Sequence, residues 1–156
     1  MRSILSKALV AFAITGVVAL AADNTLGTWK LNVAKSTYTP APLPIKSLTV
    51  TREASDGGVK QTTTGERSDD TKVNASYTAK YDGKDVQVTG NSQYDTIAIK
   101  QVNADTLTDV RKKTGGPYTA TGRTVVSNGG KTMTTTTKGT NADGNEFTQI
   151  LVLDKQ

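Results

Sequence analysis

Val73-Asn74-Ala75-Ser76-Tyr77-Thr78-Ala79-Lys80-Tyr81, followed at once by Asp82-Gly83-Lys84-Asp85, decides how the rest of the chain is read. In an extended strand successive side chains point to opposite faces. Val73, Ala75, Tyr77, Ala79 and Tyr81 therefore share one face, and Asn74, Ser76, Thr78 and Lys80 share the other. Alternation sustained over this length is the signature of a half-buried strand, not of a helix. Asp82-Gly83 then supplies a tight turn, because Gly takes positive φ freely and Asp tolerates it. Further along, Ile97 and Ile99 oppose Ala98 and Lys100 in the same way.

Working outward, the same unit of strand and turn recurs. Turn signals stand at 55–58, 68–70, 82–83, 90–91, 103–105, 115–117, 128–130 and 141–145. Between them, strand-like runs occupy 27–33, 45–53, 59–66, 73–81, 85–89, 96–102, 106–113, 118–127, 132–138 and 146–153. Thr is the commonest residue, with 27 copies, and it favours strands. Pro40, Pro42 and Pro44 predict an extended loop or edge segment over 38–44. Short strands with tight links and no helical period predict an all-β domain whose neighbours run antiparallel, in an up-and-down meander. A meander of about 8–10 strands closes into a barrel because closure removes its edges. The chain from residue 22 onward holds 30 large apolar residues. About ten strands of seven residues would offer ~35 inward positions. Thr, Ala and Ser must therefore line part of the interior, in a barrel that is either narrow and packed or partly open to a ligand.

Residues 1–21 read as a secretory signal peptide, leaving 22–156 as one domain. Arg2 and Lys7 flank a short start without acids. An apolar run of about 13 residues follows, and Ala19-Leu20-Ala21 provides a small-x-small cleavage site. The run is shorter than the ~20 residues a spanning helix needs. The expectation is a secreted or periplasmic protein that starts at Ala22 or Asp23 and keeps no stable membrane anchor. Its Lys+Arg count falls from 19 to 17 against 14 acids, a net charge of +3. Arg111-Lys112-Lys113 alternates faces and makes no basic stripe. With no aromatic platform either, nucleic acid is not an expected partner.

Gly27-Thr28-Trp29 resembles the G-x-W signature that opens lipocalins, where the Trp closes one end of the barrel. The terminal strand here offers Lys155, not an Arg, to cover it. A wider resemblance runs through Leu26-Gly27-Thr28-Trp29-Lys30-Leu31-Asn32, Ala34-Lys35-Ser36, Tyr81-Asp82-Gly83-Lys84-Asp85, Val88-Thr89-Gly90, Asp95-Thr96, Lys131-Thr132-Met133-Thr134 and Lys138-Gly139-Thr140-Asn141. These segments are similar to an uncharacterised family of secreted bacterial lipocalin-like β-barrel proteins. The resemblance implies a lipocalin-like barrel and export, and carries no activity with it.

Composition narrows the chemistry. With no His and no Cys there is no Ser-His-Asp triad, no thiolate and no transition-metal site of the usual ligands. No cofactor or metal is expected. Asn141-Ala142-Asp143-Gly144-Asn145-Glu146 begins like a calcium loop but lacks the later bidentate Glu, so a hairpin turn explains it better. Most acids sit in turns. Asp109 and Arg111, at i and i+2, share a face with Leu107, and Arg123 shares one with Thr121 and Val125. Facing out, such charges are solvated. Facing in, they must be paired or functional, since burying a charge costs several kcal/mol. The leading expectation is a non-catalytic barrel binding a small apolar or amphipathic ligand, with Tyr77, Tyr81, Tyr118, Arg111 and Arg123 as ligand contacts and Trp29 as a structural residue. The alternatives are an envelope interaction or inhibitor protein with a filled barrel, presenting its rim through the loop 40–44, and an enzyme working with carboxylates alone.

Overall fold

The computed structural model describes residues 22–91 and 93–156. The leader read over 1–21 lies outside the described residues. Eleven strands follow one another in antiparallel fashion. They are β1 (Gly27–Leu31), β2 (Thr37–Thr39), β3 (Ile45–Ser55), β4 (Gly58–Arg67), β5 (Lys72–Lys80), β6 (Val86–Gln87), β7 (Thr96–Asn103), β8 (Thr106–Lys112), β9 (Thr119–Ser127), β10 (Thr132–Thr140) and β11 (Glu146–Lys155). Among the described residues the only helical element is a 3₁₀ turn, Val33–Lys35.

Ten strands run side by side in the order β5-β4-β3-β1-β11-β10-β9-β8-β7-β6, and β2 pairs with β11 beside them. Sequence neighbours are sheet neighbours, except where β1 inserts between β3 and β11. The two ends of the sheet meet where Ser76 and Thr89 exchange backbone hydrogen bonds of 2.9 and 3.0 Å. The result is a nearly closed up-and-down barrel.

Two strands are shorter than their sequence suggests. The run 85–89 shrinks to β6 and the bridge at Thr89, because Gly90 turns with φ +70° directly against β5. A Cβ there would lie 1.9 Å from the Asn74 carbonyl oxygen. The run 27–33 stops at Leu31. Asn32 caps the 3₁₀ turn, and the Ser36 hydroxyl accepts the Val152 N–H at 3.0 Å and donates to the Asn32 carbonyl at 2.8 Å. β1 and β2 thus act as one interrupted strand along β11. The segment read over 38–44 begins in β2, which pairs with β11, and continues through Pro40, Pro42 and Pro44 as a loop.

The alternation read at Val73 holds: Ala75, Tyr77 and Ala79 are buried and Asn74, Thr78 and Lys80 are exposed or half-buried. Inward positions of β9 and β10 are filled by Ala120, Gly122, Thr124, Thr135 and Thr137, the small and hydroxylated lining that the residue count requires. Apolar packing falls into a cluster around Trp29, Leu48, Val50 and Leu153, a second around Val59, Tyr77, Ile97 and Leu107, and a third of Tyr118, Ala120 and Phe147.

Trp29 has no exposed surface. It faces Val50 of β3 and Lys155 of β11. Its Nε1–H donates to the Thr25 carbonyl at 2.9 Å, and the Lys155 ammonium lies 4.7 Å from the ring centroid. Residues 22–26 lie across this end of the barrel. Asn24 N–H reaches the Ala104 carbonyl at 2.8 Å, and the Asp23 carboxylate accepts from Thr25 N–H at 2.9 Å and from the Tyr81 phenol. Trp29→Ala is expected to lower unfolding free energy by ~3–5 kcal/mol. Lys155→Met should remove only ~0.5–1 kcal/mol, the worth of an exposed cation–π contact. Urea titrations followed by circular dichroism check both.

Candidate functional site

The barrel closed at one end by Trp29 and residues 22–26 contains a cavity of about 130 Å³. Its inner walls are Leu48, Val50, Ile97, Ile99 and Leu107, and the half-exposed Arg67, Asn91, Gln93 and Gln149 lie toward the other end. Polar groups are set into these apolar walls in two places, one on β3 to β5 and one on β8.

The first group centres on Arg52. It follows Leu48 and Val50 at steps of two on β3, so the pleat points it inward, and it is 6% exposed. Its Nε–H donates to Thr25 Oγ1 at 3.1 Å and its Nη1 to Gln61 Oε1. The same Gln61 oxygen accepts from the Tyr77 phenol at 2.9 Å, while Gln61 Nε2 donates to Thr63 Oγ1 at 3.2 Å. Every member of this group is thereby oriented. Arg52 Nη2 is buried and has no hydrogen-bond partner among the described residues.

The second group is the pair Asp109 and Arg111. Both face inward on β8, so this is the paired arrangement and not the solvated one. Arg111 Nε and Nη2 donate to the two Asp109 oxygens at 2.7 and 3.2 Å. Gly122 on β9 makes the space: a Cβ there would fall 2.3 Å from Asp109 Oδ1. The Arg111 guanidinium also lies 5.5 Å from the Tyr94 ring centroid. Tyr94, Tyr118, Phe147 and Tyr38 continue as a row of rings with centroids 5.6 to 5.9 Å apart.

Of the residues read from the sequence, Tyr77 and Arg111 line the cavity and Trp29 is structural. Three lie elsewhere. Tyr81 latches the segment 22–26 through Asp23. Tyr118 is buried within the aromatic row, against Ala120 and Phe147. Arg123 faces outward because β9 buries its even positions, and with Lys100 and Lys138 it borders a groove of about 690 Å³ on the outer face of β7 to β10. Arg52 and Gln61 were not singled out from the sequence. Their signal lay in the alternation, an arginine at the third inward step after Leu48 and Val50. The segment 141–145 is a hairpin turn, with Asn141 Oδ1 accepting the backbone N–H groups of Asp143 and Asn145 at 3.0 and 2.9 Å.

Burial pushes the Tyr77 and Tyr118 phenols up to about 12. Tyr81 rises to about 12 from burial first and then from its bond to Asp23. All three are neutral at ordinary pH, and Tyr77 and Tyr81 donate, to Gln61 and Asp23. Arg111 is held well above its usual value by the Asp109 carboxylate, in spite of burial.

No family model, no curated protein and no solved structure matches this chain.

Two outcomes are expected. Arg111→Met leaves Asp109 buried and unpaired and should cost ~3–5 kcal/mol, whereas the double variant Asp109→Leu/Arg111→Met should recover most of that loss. Denaturant titrations of the three proteins measure it. In alkali, the folded phenols keep protons that the unfolded chain releases near 10. The stability they contribute is complete below pH 10 and is lost as pH rises toward 12. Near-ultraviolet absorbance should show three of the five tyrosines ionising late in the folded protein and near 10 in denaturant.

Proposed function

We propose that the protein is an exported, non-catalytic, lipocalin-like barrel that binds a small molecule in its lumen. The observation that carries this reading is the cavity inside the barrel in which Arg52, Gln61 and Tyr77 are held by one another at fixed positions among apolar walls. Apolar walls with a few oriented polar groups are the usual construction of a ligand site. The volume of about 130 Å³ is below the ~300–1,000 Å³ of pockets for drug-sized molecules, so the ligand is small. Carboxylate chemistry of the glycosidase kind needs two acids across a cleft, ~5–9.5 Å apart. Asp109 is the one acid among the described residues lining the cavity, and Arg111 engages both its oxygens.

Export rests on the leader at 1–21 and agrees with the way residues 22–26 lie across the closed end. Removal of the first 21 residues leaves that plug whole. The strands carry Lys60, Arg123 and Lys138 exposed on their outer face. Such residues would cost ~2–4 kcal/mol each at a bilayer midplane, which supports a barrel that works in water. The family resemblance in the sequence supports the same reading.

The interaction reading has one observation in its favour, the outer groove bordered by Lys100, Arg123 and Lys138, a surface suited to an acidic protein partner in the envelope. Lumen binding is preferred because the lumen sets oriented polar groups among apolar walls and the groove does not.

Native mass spectrometry of protein purified gently from its own host tests the reading. The expected result is a chain beginning at Ala22 or Asp23 that carries a small organic molecule, released on unfolding. Protein that carries nothing, and whose methyl resonances at Leu48, Ile97 and Leu107 do not respond to a library of small fragments, would overturn it.

A further inference from the structure

The groove on the outer face of β7 to β10, at about 690 Å³, has several times the volume of the lumen cavity. The strand register fixes what lies in it. Lys100, Thr108, Arg123 and Thr136 stand in one row across the four strands, and Ala98, Val110, Thr121 and Lys138 stand in the next. The Asp82-Gly83 turn walls the groove beside Lys100: Asp82 bridges Lys100 through the backbone, and a Cβ at Gly83 would fall 2.4 Å from Lys100 Cε. Lys100, Arg123 and Lys138 are exposed, and among the described residues none of the three is in an ion pair. Elsewhere on the surface Lys46, Lys72, Lys80, Lys112 and Lys113 each meet a carboxylate. Asp109 borders the groove as well, but its carboxylate lies on the inner side of β8 with Arg111. The Asp82 carboxylate caps its own turn, accepting Lys84 N–H at 3.0 Å. The groove is thus a concave surface with three uncompensated positive charges.

We propose that this groove binds a linear acidic polysaccharide, its carboxylates meeting Lys100, Arg123 and Lys138 and its rings lying over Ala98, Val110 and the threonines. This is a second site, independent of the lumen and its ligand. The charge calls for an anion, and the form of the surface selects which one. A peptide that adds to a sheet takes its affinity from main-chain hydrogen bonds to an open edge. Here β8, β9 and β10 are each paired on both sides, so the groove has no edge to offer. A sugar polymer needs none. Its hydroxyls can exchange hydrogen bonds with those of Thr108, Thr121 and Thr136, which both donate and accept. The C–H faces of its rings can cover Val110, a large apolar side chain that is 36% exposed. A single-stranded nucleic acid would call for aromatic stacking platforms, and no aromatic side chain lines the groove. Lys100 and Arg123 stand two strands apart, about 10 Å. Arg123 and Lys138 are diagonal neighbours on adjacent strands, about 7–8 Å apart. Such spacings suit carboxylates on alternate residues of an extended pyranose chain. A cavity of ~150 Å³ takes one six-membered ring, so the groove has room for about four.

Nuclear magnetic resonance on residues 22–156 in low salt tests this with three probes: an oligogalacturonate, its methyl ester, and an oligoglutamate of the same charge. The oligogalacturonate should bind saturably and shift the Ala98, Val110 and Thr121 methyl groups, while the inward-facing Ile99 and Leu107 methyl groups stay in place. The methyl ester, with the same rings and no charge, and the oligoglutamate, with the charge and no rings, should each bind about tenfold more weakly or less. Arg123→Gln and Lys138→Gln, at exposed positions where the fold does not depend on the side chain, should each weaken the oligogalacturonate about two- to fivefold. Lys60→Gln, an exposed lysine on β4 outside the groove, should leave binding unchanged. Oligoglutamate binding as tightly as oligogalacturonate would overturn the polysaccharide class in favour of an acidic protein segment. A methyl ester that binds equally well would overturn the role of the three cations. If Lys60→Gln weakens binding as much as Arg123→Gln, the attraction is diffuse and the groove is no site. If no probe moves the groove methyl groups, the proposal fails, and the reading of the lumen stands or falls separately.

Discussion

Three stretches of chain, residues 22–31, β3 and β11, meet on the indole of Trp29, and the barrel depends on that meeting. β1 carries the residue, β3 places Val50 beside it, β11 contributes Leu153 and the Lys155 ammonium, and the segment 22–26 receives the indole N–H. A ten-stranded meander assembled from local hairpins has one long-range seam, where β1 and β2 pair with β11 and the large buried side chain supplies apolar contact. The sheet closes at the Ser76–Thr89 contact, only 13 residues apart in sequence and held by two backbone bonds and a turn at Gly90. Hairpins are cheap in chain entropy and long-range pairing is not. The heaviest aromatic burial is therefore found where the two ends of the chain must find each other.

Closure at the Trp29 end also positions the polar part of the lumen. The carbonyl of Thr25 takes the indole N–H while its hydroxyl takes Arg52 Nε–H. One buried residue thus ties the structural plug to the cationic group. Displacing residues 22–26 would free Trp29 and Arg52 together, so the floor of the cavity and the stability of the fold share a common support.

Two of the three arginines that line the lumen differ in what balances them. Arg111 is matched on its own strand by Asp109, two residues away on the same face, and by the Tyr94 ring. It stiffens one wall and is chemically complete. Arg52 is held by Thr25 and Gln61, both neutral, with the Asp23 carboxylate one hydroxyl away. The contrast is between a direct ion pair and a charge balanced at one remove.

Period two along the chain made much of this legible. The alternation at 73–81, the Asp-Gly turn after it and the even spacing of turn signals determine an antiparallel all-β meander, because side-chain direction in a strand is local geometry. The Gly-x-Trp opening and the small, Thr-rich inward positions follow from residue identity in the same way. What the sequence could not determine is which neighbour each face meets. Whether Asp109 and Arg111 point in or out is a choice between two faces of equal local geometry, settled by Gly122 across the ladder. Arg123 sits on the next strand with a similar pattern and falls outside, because β9 buries its even positions. Tyr81 and Tyr118 share the composition of ligand contacts, yet one became a latch and the other part of an aromatic row, since their partners, Asp23 and Phe147, are distant in sequence. Arg52 became the centre of the cavity for the same reason. Its partners, Thr25 on the plug and Gln61 on the next strand, come together only once the tertiary structure has fixed where both groups are.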